Sequence, residues 1–290
     1  MVNNRAKNLH WFPGHMAKAL REVEAKCQSV DIIVEICDAR IPYSSRNPFL
    51  SQVAQNKKRL LILNKVDMAD ASVTKAWLKY LNTSEQMAIA TSLSSARDLK
   101  VIRHSIDLLS LDKRERDQKR GMKNRPVRAL VIGIPNSGKS TLINRLAGRK
   151  KVLVANRPGA TRAQQYIKVD QYIELIDTPG ILPPNYDDSQ VALNLALLKA
   201  IPMDILPLND LCEYAIKILV TQYPDYLTSR YGETLNGLTS YNDILLAISK
   251  IRGYLPLGAD NFERAEKLLV VEFQNGILGT VSLERPSDDK

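Results

Sequence analysis

The sequence predicts an α/β fold with a mostly parallel sheet, followed by a small α-helical domain. Short apolar runs bounded by polar residues recur along the first two thirds of the chain, which is the pattern of buried parallel strands. The stretches between the first runs have room for crossover helices. After residue 203, apolar residues recur at i, i+3 and i+4, which predicts helices. We therefore expect an α/β domain at 1–202, including the N-terminal segment 1–28, and an α-helical domain at 203–290.

The predicted elements follow from the spacing of the apolar residues. Ser72–Leu81 is predicted to be a crossover helix, because Trp77, Leu78 and Leu81 share one face. The predicted strands are Asp31–Cys37, Arg59–Leu63, Met87–Ala90, Ala129–Ile132, Tyr166–Val169 and Tyr172–Ile176. The helices predicted in the C-terminal domain are Leu211–Val220, Tyr241–Ile251 and Phe262–Phe273.

The chain is basic, with 41 Lys and Arg residues against 31 Asp and Glu residues in 290. An excess of this kind favours contact with polyanions, because neutralising phosphates releases condensed counterions. A solvated basic surface without a partner is an equally good explanation of the charge alone. After a predicted helix at Val101–Leu111, the stretch Asp112–Pro126 is polar and mostly basic, so we interpret it as a connector.

The cysteines and the apolar runs indicate the compartment. Cys27, Cys37 and Cys212 are widely spaced and form no CxxC pair, so neither a disulfide framework nor a zinc site is expected. We interpret them as buried thiols in a reducing compartment. The N-terminus has no apolar stretch of signal-peptide length, and no apolar run is long enough to span a bilayer. The expectation is a cytoplasmic protein without membrane contact.

Residues 133–140, Gly-Ile-Pro-Asn-Ser-Gly-Lys-Ser, fit the phosphate-loop pattern GxxxxGK[ST] between a predicted strand and a helix. The glycines allow backbone N–H groups to point at phosphates, and the helix N-terminus adds its positive dipole. We expect Lys139 to bridge the β- and γ-phosphates and the Ser140 hydroxyl to ligate Mg²⁺. The expected nucleotide contacts of this loop are Asn136, Ser137, Gly138, Lys139, Ser140 and Thr141.

A second motif, Asn64-Lys65-Val66-Asp67, follows the second predicted strand. An Asp carboxylate accepts hydrogen bonds from guanine N1–H and the 2-amino group, a pairing that adenine cannot offer, and a Lys stem packs over the base. Alone, the motif also fits a polar loop. Because it and the phosphate loop both follow strands, we expect them at one carboxyl edge of the sheet, where open α/β folds bind ligands. Together they predict binding of GTP and GDP through Asn64, Lys65, Val66 and Asp67.

Residues 177–180, Asp-Thr-Pro-Gly, match DxxG at the end of a predicted strand. The position would let Asp177 reach Mg²⁺ through water and let the Gly180 N–H sense the γ-phosphate. In the preceding loop, Arg157–Arg162, we expect Thr161 to be the switch hydroxyl that ligates Mg²⁺. The alternative for that loop is an ordinary surface turn.

These motifs occur in the order guanine motif, guanine edge, phosphate loop, switch one and switch two. The guanine edge is assigned to Ser92 and Leu93, which follow the third strand and are expected to contact the base through backbone groups. A circular permutation of a GTPase explains the order, because the usual termini lie close together and can be joined by the basic connector. After switch two the chain soon enters the C-terminal domain, so a γ-phosphate-dependent movement has a short route to it.

The permuted order and the motifs resemble the bacterial ribosome biogenesis GTPase A family over essentially the whole chain. The motifs are His-Trp-Phe-Pro-Gly-His-Met-Ala-Lys at 10–18, Asp-Ala-Arg-Ile-Pro-Tyr-Ser-Ser-Arg-Asn-Pro at 38–48, Asn-Lys-Val-Asp at 64–67, Arg-Pro-Gly at 157–159 and Asp-Thr-Pro-Gly at 177–180. The resemblance implies a GTPase that assists late assembly of the large (50S) ribosomal subunit, contacting rRNA and ribosomal proteins. It also implies a C-terminal domain similar to the RNA-binding modules of antiterminators. We expect the free protein to be a monomer.

The residue after DxxG bears on hydrolysis. Many GTPases place a water-orienting Gln there, but this chain has Ile181, which cannot hydrogen-bond water. The resemblance assigns a catalytic role to His15, whose imidazole could orient or polarise water near neutral pH. The alternative is that Trp11, Phe12 and His15 anchor the N-terminal segment. Asn136 lies where potassium-dependent GTPases of similar sequence hold K⁺, which we expect to act here as a fixed charge beside the reacting oxygens. The expected catalytic residues are His15, Lys139 and Thr161.

Three functions therefore fit the sequence. The first is a GTP hydrolase that is activated by a pre-ribosomal particle. The second is a GTP-gated RNA-binding scaffold with incidental hydrolysis, which Ile181 and the basic connector favour. The third is a permuted GTPase of tRNA modification or membrane transport, for which we find no transmembrane span and no feature related to cysteine or folate chemistry.

Overall fold

The computed structural model describes residues 14–49, 57–121, 125–148, 165–182, 189–254 and 259–286. The described residues divide into two compact units, one formed by residues 14–182 with 284–286 and the other by residues 189–283. The helical unit thus begins upstream of residue 203, the boundary expected from the sequence. The final residues, 284–286, belong to the first unit although they follow the helical unit in the chain.

The first unit is built on one six-stranded sheet of order β3-β2-β1-β4-β6-β5. The strands are β1 (Ile32–Asp38), β2 (Lys58–Asn64), β3 (Gln86–Thr91), β4 (Val127–Ile132), β5 (Gln165–Lys168) and β6 (Ile173–Asp177). All neighbouring strands are parallel except β5 and β6, which are antiparallel. The prediction of a mostly parallel sheet is confirmed.

Helices cover both faces of this sheet, because alternate residues of each strand point to opposite sides. Along β2, Leu60 and Ile62 pack with Ile102 of one helix, whereas Leu61 and Leu63 pack on the other side with Trp77. The helices of this unit that lie wholly within the described residues are α1 (Gly14–Cys27), α2 (Ala71–Leu81), α3 (Ala96–Leu109), α4 (Leu111–Lys119) and α5 (Lys139–Leu146).

The basic connector is largely helical. Its first part forms α4, none of whose residues is buried. Lys, Arg, Glu and Gln are good helix formers, and Lys113 pairs with Asp117 one turn later at 3.0 Å. This helix contributes no buried residue, so its sequence has no apolar stripe. From its polarity, the segment is therefore interpreted as a connector.

The second unit consists of α6 (Ser189–Leu197), α7 (Leu208–Gln222), α8 (Asp225–Tyr231), α9 (Tyr241–Ile251) and α10 (Ala259–Gln274). The three helices predicted there correspond to α7, α9 and α10. Helix α6 escaped prediction because every residue from Ala192 to Leu197 is buried, so it has no apolar stripe to recognise. Helix α8 has seven residues, too few for a periodic pattern.

The carboxylate of Glu284 caps a loop of the first unit. It accepts hydrogen bonds from the backbone N–H groups of Tyr43 and Ser44, at 2.7 and 3.1 Å, and from the Ser44 hydroxyl. The Glu284 carbonyl accepts a hydrogen bond from Trp77 Nε1 at 3.1 Å. Glu284, which lies near the C-terminus, therefore fixes the loop that follows β1.

The three cysteines are buried and free, as predicted. Burial raises the pKa of each thiol, so the thiolate is disfavoured and the sulfurs behave as core atoms. Among the helices that the structure describes, none combines the length and apolarity needed to cross a membrane.

Candidate nucleotide-binding site

The predicted motifs meet at one edge of the sheet. Asn64 is the last residue of β2, the phosphate loop follows β4, and Asp177 is the last residue of β6. Because β1, β2, β4 and β6 are parallel, their carboxyl ends lie along the same edge. This is the position at which open α/β folds bind ligands.

The shape of the phosphate loop depends on its glycines. Gly133 has φ +150° and Gly138 has φ +109°, values that L side chains rarely adopt. A Cβ at Gly133 would overlap the carbonyl oxygen of Ile36, and one at Gly138 would overlap Asn64 Nδ2. Asn136 is also left-handed, with φ +59°. At positions 133 and 138, both the backbone conformation and the neighbouring atoms therefore require glycine.

Lys139 begins α5 and is 6% exposed. Its ammonium donates hydrogen bonds to the carbonyl oxygens of Gly133 and Ile134, at 3.0 and 2.9 Å. Burial lowers the pKa of Lys139 to about 8, although the charge of Asp177 opposes the shift. Ser140 and Thr141 follow in the first helical turn, where backbone N–H groups have no partner within a helix. A buried cation and free N–H groups together suit an anion such as a phosphate.

Asp177 is fully buried, and neither of its carboxylate oxygens accepts a hydrogen bond from the part of the chain that the structure describes. Burial raises its pKa to about 6, while Lys139 acts in the opposite direction. A buried carboxylate without a partner is costly, so this side chain is suited to a ligand that the fold itself does not supply.

The rest of the DxxG segment and the residue after it are fixed against β4 and the phosphate loop. The Thr178 hydroxyl donates to the Val131 carbonyl of β4 at 2.7 Å, and the Ile181 N–H donates to the Gly133 carbonyl at 3.3 Å. A Cβ at Gly180 would lie 2.8 Å from Pro135 N, so this position also requires glycine. The side chain of Ile181 is buried in the core with Leu20 of α1.

The guanine motif is joined directly to the phosphate loop. Asn64 is buried and donates from Nδ2 to the Ser137 carbonyl at 2.8 Å. Lys65 has φ +63°, and its ammonium lies 2.9 Å from Asp38 Oδ2. Val66 and Asp67 belong to a short 3₁₀ turn in which Asp67 is exposed, so its carboxylate is accessible to a ligand.

The loop assigned to the guanine edge is held by a residue that the sequence did not single out. Leu93 is left-handed, with φ +56°. The guanidinium of Arg145, in α5, donates to the Leu93 carbonyl and, at 2.9 Å, to the Ser94 carbonyl. Ser92 lies beside these carbonyls and is partly exposed. Nothing in the sequence pattern marks Arg145, because its role arises from contact between distant segments.

Asp38 and Arg40 were also not predicted as site residues. Both are 2% exposed, and Arg40 donates from Nε and Nη2 to the two carboxylate oxygens of Asp38 at 2.9 and 2.8 Å. Burial opposes ionisation, but Arg40 and Lys65 together hold the pKa of Asp38 well below its usual range. In the sequence, the feature that could have indicated these two residues is their position at the end of the predicted strand β1, which precedes the strand that carries the guanine motif.

Two predicted residues cannot be placed in the site. Thr161 lies outside the described residues. His15 is the second residue of α1, but its side chain is outside the described part of the structure. Their roles therefore stay predictions.

The sheet, the phosphate loop and the displaced guanine motif define the class as a circularly permuted GTPase. A family model described as "50S ribosome-binding GTPase" matches residues 128–227. Ribosome biogenesis GTPase A from Bacillus cereus is 41% identical over 282 residues, covering 97% of this chain and 95% of the relative. Its namesake from Priestia megaterium is 42% identical over 283 residues, covering 97% and 98%.

Solved structures agree with these relatives. GNP-bound YlqF from T. maritima has a TM-score of 0.63 at 25% identity and covers 93% of this chain and 99% of its own. A structure of GDP-bound YlqF has a TM-score of 0.65 at 26% identity, with 92% and 100% covered. The chain belongs to the ribosome biogenesis GTPase A family. It is a GTPase, and its nucleotides are GTP and GDP.

GTPases use Mg²⁺, and the described residues fit this ion. Mg²⁺ prefers oxygen ligands, keeps several waters, and binds proteins through one or two carboxylates together with substrate phosphates. Asp177 offers a buried carboxylate with no partner among the described residues, and Ser140 offers a hydroxyl at the start of α5. When bound, the ion would neutralise charge on the β- and γ-phosphates.

Burial of the Asp177 carboxylate lowers the stability of the nucleotide-free protein. Because the folded pKa of Asp177 is raised to about 6 from 3.8, the contribution of this carboxyl to stability is complete below the unfolded pKa and is lost as pH rises through 6. Asp177→Asn should therefore raise the free energy of unfolding near neutral pH by about 2 kcal/mol, and the melting temperature by about 5 °C. Thermal unfolding near pH 7.5 and near pH 4 measures the difference.

The difference should disappear at the lower pH, where the native carboxyl is protonated as well. Asp112→Asn, at a side chain that is 73% exposed, is the control and should change neither melting temperature. Near pH 7.5, Asp177→Asn should melt above the temperature of the unaltered protein. Melting at or below that temperature would contradict the conclusion that the ionised Asp177 carboxylate destabilises the nucleotide-free protein.

Proposed function

We propose that the chain is an assembly factor for the large (50S) ribosomal subunit, which alternates between GTP and GDP states and is activated by the pre-ribosomal particle. The observation that carries the proposal is the contact of the end of DxxG with the phosphate loop, through the close approach of Gly180 to Pro135 and the hydrogen bond from the following Ile181 N–H to Gly133. A γ-phosphate bound there adjoins a segment from which the chain continues into the helical unit. Nucleotide state and partner binding can therefore be coupled.

The names of the relatives support the choice of partner. They are ribosome biogenesis proteins, and the matching family model is described as ribosome-binding. The net charge of +10 favours contact with rRNA. Helix α4, which has no buried residue, and the helical unit are the surfaces to which we assign contact with RNA and ribosomal proteins. We propose that the free protein is a monomer and that it acts in the cytoplasm.

We assign the roles in the site as follows. Asp67 recognises the guanine edge, the Lys65 stem packs on the base, and Asn64 holds this motif against the phosphate loop. Ser92 and Leu93 contact the base through backbone groups. Lys139 and Gly180 contact the terminal phosphates, with Ser140, Thr161 and, through water, Asp177 as the Mg²⁺ ligands. The remaining proposed nucleotide contacts are Val66, Asn136, Ser137, Gly138 and Thr141.

The attacking water requires a group other than Ile181. That side chain is buried in the core with Leu20 and Val23 of α1. His15 precedes Leu20 by five positions in the same helix, a separation of about 7.5 Å along the axis. The start of α1 is therefore near the segment that follows DxxG, and we propose that the His15 imidazole orients the water.

We expect large ribosomal subunits to raise multiple-turnover phosphate release from GTP by at least about tenfold. His15→Ala should bind GTP with unchanged affinity and lose this stimulation, because only the orientation of water is removed. Trp11→Ala is the matched control for an anchoring role of the N-terminal segment and should keep most of the stimulation.

Two outcomes would contradict these proposals. Unchanged stimulation in His15→Ala removes the catalytic role of this residue. Absence of stimulation in the unaltered protein, with binding to the subunit retained, favours the RNA-binding scaffold with incidental hydrolysis.

A potassium ion at Asn136 is a further proposal. The backbone of this residue is held at φ +59° in the phosphate loop, next to the buried Ser137. A monovalent cation there would place a fixed charge beside the oxygens that become negative during hydrolysis. Equal turnover in sodium and potassium buffers would remove this proposal.

A further inference from the structure

We propose that Asp38 and Arg40 position the guanine-reading residues Lys65 and Asp67, and that the preference for guanine over other purines depends on this buried pair. The inference rests on the proposed assignment of Asn64 to Asp67 as the guanine motif. It adds two positioning residues that lie outside that motif.

The pair is attached to the guanine motif by the sheet itself. Asp38 is the last residue of β1 and pairs with Asn64, the last residue of β2, in the parallel register. The Ala39 N–H donates to the Asn64 carbonyl at 2.8 Å. The backbone of residues 38–40 therefore cannot shift without moving the start of the motif.

The Asp38 carboxylate connects two cations. One is Arg40, which donates to it twice from the side chain and once from its backbone N–H at 3.1 Å. The other is Lys65, whose ammonium lies 2.9 Å from Oδ2. Arg40 holds the carboxylate in one orientation, and the carboxylate in turn holds the end of the Lys65 side chain.

Anchoring Lys65 at both ends restricts its aliphatic stem. A free lysine side chain loses about 2 kcal/mol of rotamer entropy when it is fixed. Here its backbone is fixed in the left-handed region and its ammonium is bound at Asp38. A stem that is ordered before the base arrives loses less entropy on stacking, which strengthens binding.

Arg40 also acts on Asp67. Asp67 lies two positions after Lys65 in the same short turn, so anchoring Lys65 at Asp38 also restrains the backbone of Asp67. Burial lowers the pKa of Arg40, but the charges of Asp38 and, more weakly, of Asp67 raise it overall. Arg40 Nη1 is buried and has no hydrogen-bond partner among the described residues. The Nη1 group is therefore a donor that can restrain the exposed Asp67 carboxylate, as two hydrogen bonds to guanine require.

A second buried pair in the same sheet provides a matched control. Glu35, in β1, is buried and pairs with Arg59 of β2 at 2.9 Å. Arg59 lies near the start of β2, five positions before Asn64, so this pair is separated from the guanine motif along the strand. Weakening either pair should destabilise the fold. Only weakening of the Asp38–Arg40 pair should change the preference for guanine over other purines.

The test measures displacement of a fluorescent GDP analogue by GDP and by IDP, which lacks the 2-amino group. The ratio of the two dissociation constants reports the hydrogen bonds to Asp67, whereas equal weakening of both reports loss of stacking on the Lys65 stem or general damage. Arg40→Lys keeps the charge and removes the planar fork, and we expect it to reduce this ratio by about tenfold. Arg59→Lys should lower the melting temperature and leave the ratio unchanged.

Asp67→Ala separates failure of this inference from failure of the guanine assignment. If it retains the preference for GDP over IDP, the proposed guanine motif is wrong. If it loses the preference while Arg40→Lys retains it, the motif stands and Arg40 is only a structural residue. Asp38→Asn, which keeps the volume and removes the charge, should behave as Arg40→Lys does, and an unchanged ratio in both variants overturns the proposal.

Discussion

Replacing Lys139 with methionine is expected to reduce GTP turnover by about a thousandfold while raising the thermal stability of the nucleotide-free protein. The ammonium donates to the phosphate-loop carbonyls of Gly133 and Ile134, and we propose that it contacts the β- and γ-phosphates. Removing one preorganised donor to a developing negative charge typically costs 10²- to 10³-fold in turnover, by the general estimate of about 3–4 kcal/mol. Phosphate release from GTP measures the loss.

The stability gain follows from the sign of the pKa shift. Because burial lowers the pKa of Lys139 to about 8, its contribution to stability is complete above the unfolded value of 10.5 and is lost as pH falls through 8. Near pH 7 the ammonium is charged and buried at a cost of about 3 kcal/mol, which the apolar methionine avoids. The gain in melting temperature should shrink as pH rises toward about 10.

Lys168→Met, at an exposed position on β5, is the control for loss of a positive charge and should alter neither property. Turnover near that of the unaltered protein in Lys139→Met would contradict the placement of the phosphates. A fall in melting temperature would contradict the conclusion that this charge is buried at a net cost.

Asp67→Asn is expected to weaken GTP binding by at least about a hundredfold and to create binding of XTP. An Asp carboxylate accepts from guanine N1–H and the 2-amino group. An Asn amide has one acceptor and one donor group, which match N1–H and the 2-oxo group of xanthine. Because Asp67 is exposed, the substitution should leave the fold intact. Competition of GTP and XTP for the site measures the exchange.

Asp70→Asn is the matched control, three positions along the chain. Asp70 caps α2 by accepting from Ser72 N–H and Val73 N–H at 2.8 and 3.2 Å. Asn is also a good cap, so stability and base preference should both persist. Retained preference for GTP over XTP in Asp67→Asn would show that another residue reads the base.

The sheet and the nucleotide motifs could be predicted because their signals are local. β1 and β2 are buried on both faces, so they show as mostly apolar runs, interrupted in β1 by Glu35, and the guanine motif stands at the end of one of them. The permuted order required only the relative positions of Asn64 and Gly133 in the chain. The predictions of a ribosomal partner and of a catalytic role for His15 come from the resemblance to a known family.

The remainder of the site could not be predicted because it depends on contacts between distant segments. Arg145 holds the loop after β3 from a helix about fifty positions later in the chain. Glu284, which the sequence placed in the helical domain, caps the loop after β1. Asp38 and Arg40 are close in sequence, but their link to Lys65 appears only when β1 and β2 pair.

The most direct test of the proposed function is co-sedimentation of the protein with large ribosomal subunits in the presence of GDP or of a non-hydrolysable GTP analogue. We predict that the analogue increases the fraction bound to the subunit, because we propose that the γ-phosphate acts on the DxxG segment, whose Gly180 adjoins Pro135 of the phosphate loop. Lys139→Met, which should fail to hold the γ-phosphate, is predicted to bind equally in both nucleotides. Equal binding of the unaltered protein in GDP and in the analogue would contradict a GTP-dependent switch.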